Sequence, residues 1–320
     1  MEQGTDMLSG TETRVDPVRQ WRIHVGAHKT ATTHLQETLT RVRTGLASAG
    51  VDFIPNELLR TRRLAQMLWE RRPLARVPIL GPAHMRDAIE TAVQPLRLGP
   101  DVVVLSEENI LGIPQQIFAE PFYPHADNAL GRLASLSARA EMVLFLSVRS
   151  YDTFLPSAYA EHLKHAPPEA GGFEALRERL VARPPSWYDL VCRIRAAVPG
   201  VRLGIWRQED YRANDAAIME TVCGCPLPPL PDVSDPTWTR SPSAAAIATA
   251  EALPADLAYD ERRARVHDIF TASEPGSDRF RPFSPPERAR LRAAYDGDLE
   301  RIARDHPDTI MTFGQRELAA

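Results

Sequence analysis

The chain has little of several things, and each shortage excludes something. It has three cysteines in 320 residues, too few for a disulfide framework. Cys223 and Cys225 form a lone C-x-C with no second Cys/His pair at metal-ligand spacing, which sets a zinc site aside. No run approaches the roughly 18 apolar residues of a membrane span, so stable membrane insertion is not expected. Residues 1–16 are polar and acidic and contain no apolar signal-peptide core, which makes the cytoplasm the expected compartment. A net charge of −4 argues against a general nucleic-acid binder. The chain also lacks the nucleotide-triphosphate loop G-x-x-x-x-G-K-[ST] and any internal repeat. Lysine is the scarcest charged residue. Of 38 basic residues all but Lys29 and Lys164 are arginine.

What is present is ordinary for a globular protein, with 43% hydrophobic and 25% charged residues. Apolar runs at 21–26, 51–54, 101–106, 142–148 and 201–206 read as strands. Helical patterns separate them: 30–48, a proline-broken stretch at 57–98, 128–140, 152–165, 173–182, 186–197 and 213–223. Helices at 241–253, 256–272 and 284–305 follow. Strands alternating with helices predict an α/β fold, a three-layer sandwich in which a mainly parallel sheet of about five strands is flanked by helices. Length and pattern suggest one domain over 21–310. Tails are expected at 1–20 and 311–320, with variable covering segments near 57–98 and 226–283. The 28 prolines cluster at 167–185, 226–236 and 275–286, which suits irregular segments laid over a rigid core.

The densest chemistry lies in Ile23–Leu39. Three apolar or β-tolerant positions end at Gly26. A polar turn follows with Lys29, Thr30, Thr32 and Thr33, and then Leu35 and Leu39 recur at helical spacing. Strand, tight loop and helix N-terminus together make an anion site, to which lysine adds a point charge and threonine adds donors. An ammonium and a guanidinium fork are not interchangeable, so an amine kept here in an arginine-rich chain is informative. A second constellation follows the strand at 142–148. Arg149 sits at its carboxyl end and Ser157 comes eight residues later. Ligands gather at the carboxyl ends of strands in open α/β sheets, and arginine there can hold a phosphate bidentately. Past the strand at 101–106 stand Glu107 and Glu108, two adjacent carboxylates. Mutual repulsion and burial would raise a carboxylate pKa, as suits a general base. His24 reads as structural, while His28 and His34 flank the loop as alternative bases. Ser157, Glu161, Lys164 and His165 share one helical face. It reads first as a solvated charged face and second as a lining for an acceptor entrance.

The loop G-x-x-K-T-x-T-T resembles the 5′-phosphosulfate loop of sulfotransferases, which use 3′-phosphoadenosine-5′-phosphosulfate (PAPS). Bacterial members often run H-I-G-x-x-K-T-G-T-T-x-L-Q. His24, Gly26, Lys29, Thr30, Thr32, Thr33, Leu35 and Gln36 match, and Ala31 replaces a glycine. The resemblance implies a P-loop-NTPase-like fold and transfer of a sulfuryl group from PAPS to an acceptor hydroxyl on a carbohydrate, lipid or small metabolite, with no metal required. It further implies that His28, Lys29, Thr30, Ala31, Thr32 and Thr33 hold the phosphosulfate, with Lys29 at the leaving oxygens. Arg149 and Ser157 match the family's pair for the 3′-phosphate, and Gln208 stands where a tyrosine often meets adenine. Many bacterial members have Ser-x-Glu-Asn, which makes Glu108 the first candidate base and Glu107 the second. The rival readings are a P-loop nucleotide kinase, which the missing glycine and the lack of an Asp-ended strand disfavour, and a non-catalytic nucleotide-binding protein with a degenerate loop.

Overall fold

All five expected strands form in the computed structural model, which describes residues 17–69, 81–229, 241–272 and 278–313. They are β1 (Gln20–His24), β2 (Val51–Ile54), β3 (Val102–Ser106), β4 (Glu141–Val148) and β5 (Arg202–Arg207). The helices are α1 (Thr32–Arg41), α2 (Arg43–Ser48), α3 (Asn56–Thr61), α4 (Leu64–Trp69), α5 (Pro82–Val93), α6 (Ala126–Leu133), α7 (Tyr151–His165), α8 (Gly172–Ala182), α9 (Trp187–Ala197), α10 (Gln208–Cys223), α11 (Ala244–Glu251), α12 (Tyr259–Thr271) and α13 (Pro285–Asp305). Short 3₁₀ turns cover Gln94–Leu96, Glu108–Ile110, Pro114–Gln116 and Ala134–Ala138.

The sheet order is β2-β3-β1-β4-β5 and every pairing is parallel. Because a strand's side chains alternate between faces, this buried sheet supplies two cores. Trp21, Ile23, Val103, Leu105, Leu144 and Leu146 belong to the larger one. Val102, Val104, Val143 and Phe145 face the other way, against Leu35 and Leu39 of α1 and Ile218, Met219 and Val222 of α10. This is the α/β sandwich expected from the strand–helix alternation.

The strand order positions the site. The chain leaves β1 toward β2 on one side of the sheet and leaves β4 toward β5 on the other. The carboxyl ends of β1 and β4 therefore flank a topological switch point, where open α/β sheets bind ligands. The loop after β1 and Arg149 after β4 both begin there.

Local differences from expectation are informative. The helix expected at 30–48 is two helices, broken at Val42. The helix expected at 213–223 starts earlier, so Gln208 opens α10. α13 starts with a capping box in which the Ser284 N–H donates to Glu287 Oε2 at 2.7 Å, and proline occupies its first turn. Parts of the expected tails (1–16 and 314–320) and of the covering segments (70–80, 230–240 and 273–277) lie outside the described residues. Among the described residues no helix is long and apolar enough to cross a membrane.

Candidate active site

The loop from Val25 to Ala31 is fastened to β4 before it turns into α1. The Val25 N–H donates to Phe145 O at 2.9 Å and the Ala27 N–H to Ser147 O at 3.0 Å. The Ser147 hydroxyl donates to Gly26 O at 2.9 Å, and the Thr30 hydroxyl donates to Ala27 O at 2.6 Å. Thr30 Oγ1 also lies in hydrogen-bond contact with Ser147 Oγ. Thr30 is thus turned inward as a brace. Beneath it, His24 Nδ1 meets Ser106 Oγ at 2.9 Å and Nε2 meets Ser147 Oγ at 3.3 Å, with the ring stacked on Trp206. Burial lowers the His24 pKa to about 4, so the ring is neutral and structural, as its place in β1 suggested.

Gly26 has φ 103°, and a Cβ there would lie 2.9 Å from Glu108 Cβ. Only glycine permits that approach. Lys29 and Ala31 also take left-handed conformations, with φ 62° and 68°. Ala31 is the N-cap of α1 and supplies no side-chain cap. The first N–H groups of a helix have no acceptor one turn earlier, so the start of α1, with Thr32 and the exposed Thr33, keeps its donor character.

Arg149 reaches this loop directly. Its Nη1 donates to Lys29 O at 2.8 Å, and its Nε donates to Thr153 Oγ1 at 3.1 Å. Thr153 and Ser157 stand one turn apart on α7, so they share a helix face. The Ser157 hydroxyl and the Gln208 side chain make no hydrogen bond among the described residues. The Arg149 carbonyl accepts from Trp187 Nε1 at 2.9 Å. Trp187 N–H in turn donates to the buried Asp298 of α13 at 2.7 Å, which also accepts from the Tyr151 hydroxyl. Glu209 accepts from the Ser150 N–H at 2.8 Å and from the Tyr295 hydroxyl at 3.1 Å. α13 therefore helps to fix the end of β4.

The two glutamates past β3 part company. Glu107 is fully buried and committed. It accepts from Arg60 Nε at 2.9 Å and Nη2 at 3.2 Å, and from the Asn109 N–H at 3.1 Å and Nδ2 at 2.7 Å. Burial and then the adjacent Glu108 charge raise its pKa, against the pull of Arg60. Glu108 keeps 15% of its side chain exposed. It accepts from Gln36 Nε2 at 2.9 Å and Arg60 Nη2 at 3.0 Å. Burial opposes its charge, but His28, Arg60 and Gln36 together hold its pKa below the ordinary carboxylate value. Burial lowers the pKa of His28 itself. The expected upward shift at this pair thus falls on Glu107, while Glu108 is an ionised, reachable carboxylate beside Gly26. His28 is tied to the Tyr123 hydroxyl at 2.9 Å and to Asn109 Oδ1 at 3.3 Å, and His34 to the Tyr211 hydroxyl at 3.0 Å.

The charged face of α7 is not a solvated face. Lys29 Nζ donates to Glu161 Oε2 at 3.1 Å, and Lys164 Nζ donates to the same oxygen at 3.0 Å. His165 Nε2 lies 3.3 Å from Glu161 Oε1, and its Nδ1 lies 2.8 Å from the Tyr259 hydroxyl. Both lysines of the chain meet on one carboxylate. Burial works against the Glu161 charge, but Lys29, His165 and Lys164 hold its pKa well below the usual range.

Sequence reasoning did not single out Arg60, and it met Glu161 only as one member of the charged face of α7 and Asn109 only as the last residue of Ser-x-Glu-Asn. Arg60 carries no local signal, because arginine is abundant and its contact with Glu107 spans 47 residues in sequence. Glu161 had one: it lies four residues from Ser157 and from His165, at helical spacing. Two surface cavities, of about 290 and 340 Å³, lie elsewhere and include no loop residue. Among the described residues no group of three or more His, Cys, Asp or Glu side chains is arranged to hold a metal ion.

Comparison with protein-family models finds no match, and comparison with curated proteins finds none either. Among solved structures, the chain is similar to a sulfotransferase from Alicyclobacillus acidocaldarius, with a TM-score of 0.45 and 14% sequence identity. The similarity covers 91% of this chain and 96% of that one.

Proposed function

We propose that the chain is a sulfotransferase that moves a sulfuryl group from PAPS to the hydroxyl of a small-molecule, lipid or carbohydrate acceptor. The observation that carries this reading is the bond from Arg149 to the Lys29 carbonyl. It fastens the guanidinium assigned to the 3′-phosphate to the backbone of the residue whose ammonium is assigned to the 5′-phosphosulfate, at the switch point. The donor set suits a polyanion. It comprises an ammonium, a guanidinium, an uncapped helix start and the hydroxyls of Thr33 and Ser157, with Gln208 toward the adenine.

In this reading Lys29 and the N–H groups at the start of α1 bind the 5′-phosphosulfate. Arg149 and Ser157 bind the 3′-phosphate. The acceptor oxygen attacks sulfur as the bond from sulfur to the bridging phosphate oxygen breaks. Lys29 stabilises charge on that leaving oxygen, and Glu108 takes the acceptor's proton. A transferring sulfuryl group carries less negative charge than a phosphoryl group, so an amine and backbone donors suffice for stabilisation. Glu107 acts through Arg60 and Asn109 to hold Glu108 and the His28 side of the loop in place. Asp101, the one aspartate next to β3, pairs with Arg19 at 3.0 Å at the opposite end of that strand. It cannot serve a kinase-type site at the loop.

A thermal-shift screen in chelator tests the reading. 3′-phosphoadenosine-5′-phosphate should stabilise the protein by mass action, while ATP and GTP should not, and Lys29→Ala should lose most of the shift. Stabilisation by ATP or GTP instead would favour a kinase. No response to any of the three would remove the nucleotide assignment.

A further inference from the structure

The Glu161 carboxylate is a built-in competitor of the proposed donor, because it takes the ammonium of Lys29, the group assigned to the leaving oxygens. For an incoming phosphosulfate to take Lys29, that ion pair must open. A carboxylate only 20% exposed, left without a cation and facing a bound anion, would be strongly unfavourable. The second lysine resolves this. Lys164 Nζ already sits on the same oxygen of Glu161, and His165 faces the other oxygen. The two ammonium nitrogens are held no more than about 6 Å apart across that oxygen, a spacing at which like charges without the carboxylate would repel.

We infer that Lys164 is a positioning residue for donor binding: it keeps Glu161 paired when Lys29 moves to the phosphosulfate. The inference rests on the donor assignment above. It also gives a reason for lysine at this position in a chain that otherwise uses arginine. A guanidinium fork would engage both carboxylate oxygens and displace His165, whereas a compact ammonium can share one oxygen with a second amine. The arrangement comes from helix spacing. Lys164 and His165 follow Glu161 by three and four residues on α7, which puts all three on the face turned to the loop.

The test is metal-free calorimetry with 3′-phosphoadenosine-5′-phosphate on wild type, Lys164→Met, Glu161→Gln and the double variant, with melting temperatures showing that each is folded. Lys164→Met should weaken binding by roughly tenfold, the scale of one charge-assisted hydrogen bond. Glu161→Gln should bind at least as tightly as wild type. The double variant should recover to within about threefold of wild type, because removing the carboxylate removes the need for its partner. Wild-type affinity in Lys164→Met would overturn the inference. A double variant as weak as Lys164→Met would also overturn it, since Lys164 would then touch the ligand itself. Failure of wild type to bind would instead overturn the donor assignment, and this inference with it.

Discussion

His24 offers a test of how the loop is held that needs no substrate. The ring is 1% exposed and sits in the central strand, bonded on one side to Ser106 and on the other to Ser147. Burial lowers its pKa from 6.5 to about 4. The folded chain therefore binds fewer protons than the unfolded chain between those values. Stability contributed by the neutral ring is fully present above pH 6.5 and is lost as pH falls toward about 4. At 1.36 kcal/mol per unit, the loss across that window is about 3 kcal/mol. The perturbation is His24→Gln, which keeps a polar group in the strand and removes the titration. Urea unfolding from neutral pH down to about pH 4 should show the variant less stable at pH 7 but with a shallower decline, so that the two curves converge in acid. His28 and Glu161 also favour unfolding in acid, but they do so in both proteins and drop out of the difference. Parallel curves would refute the reasoning, and would mean that His24 is hydrated or protonated in the folded chain. Because Ser147 also braces Gly26 and Thr30, acid should loosen the loop before the rest of the sheet. Amide exchange at residues 26–31 would show that order.

Three further variants probe the same corner. Gly26→Ala should cost about 3 kcal/mol, from a side chain at φ 103° driven to within 2.9 Å of Glu108 Cβ; chemical denaturation reads it, and a loss under 1 kcal/mol would contradict the close approach. Glu107→Gln should destabilise the fold by about 2 kcal/mol by weakening buried bonds to Arg60 and Asn109. Glu108→Gln should leave the unfolding curve nearly unchanged while cutting turnover by about 10²–10⁴. The acid limb of wild-type turnover should lie below the ordinary carboxylate range, because Glu108 must be ionised to act and its pKa is lowered, and that limb should vanish in Glu108→Gln. Reversal of the two phenotypes would move the base to Glu107.

The sheet was legible chiefly because β3 and β4 are buried on both faces and read as nearly continuous apolar runs, Val102–Leu105 and Met142–Leu146. The two constellations were legible because each is local, a loop with its lysine and an arginine at a strand end. What holds them is not local. Arg60 crosses from α3 to Glu107, and Asp298 reaches from α13 to the start of α9. No pattern within a window of sequence encodes such pairs. The break at Val42 was hidden because Leu35, Leu39 and Leu46 keep a helical apolar rhythm through it. The pKa order of Glu107 and Glu108 was hidden too, since it depends on burial and on His28, Arg60 and Gln36, all distant in sequence. The face of α7 that reads as solvated is covered by Lys29, a residue more than a hundred positions earlier.

The central claim is that one loop and Arg149 together read a donor phosphorylated at both its 3′ and 5′ ends. Calorimetry without metal, comparing 3′-phosphoadenosine-5′-phosphate with adenosine-5′-phosphosulfate, tests it most directly. Wild type should prefer the 3′-phosphorylated ligand. Arg149→Ala should lose affinity for it by about tenfold or more, the scale of a charge-assisted contact, while binding the other ligand almost as before. Equal affinity of wild type for both ligands, or an equal loss for both in Arg149→Ala, would contradict the claim.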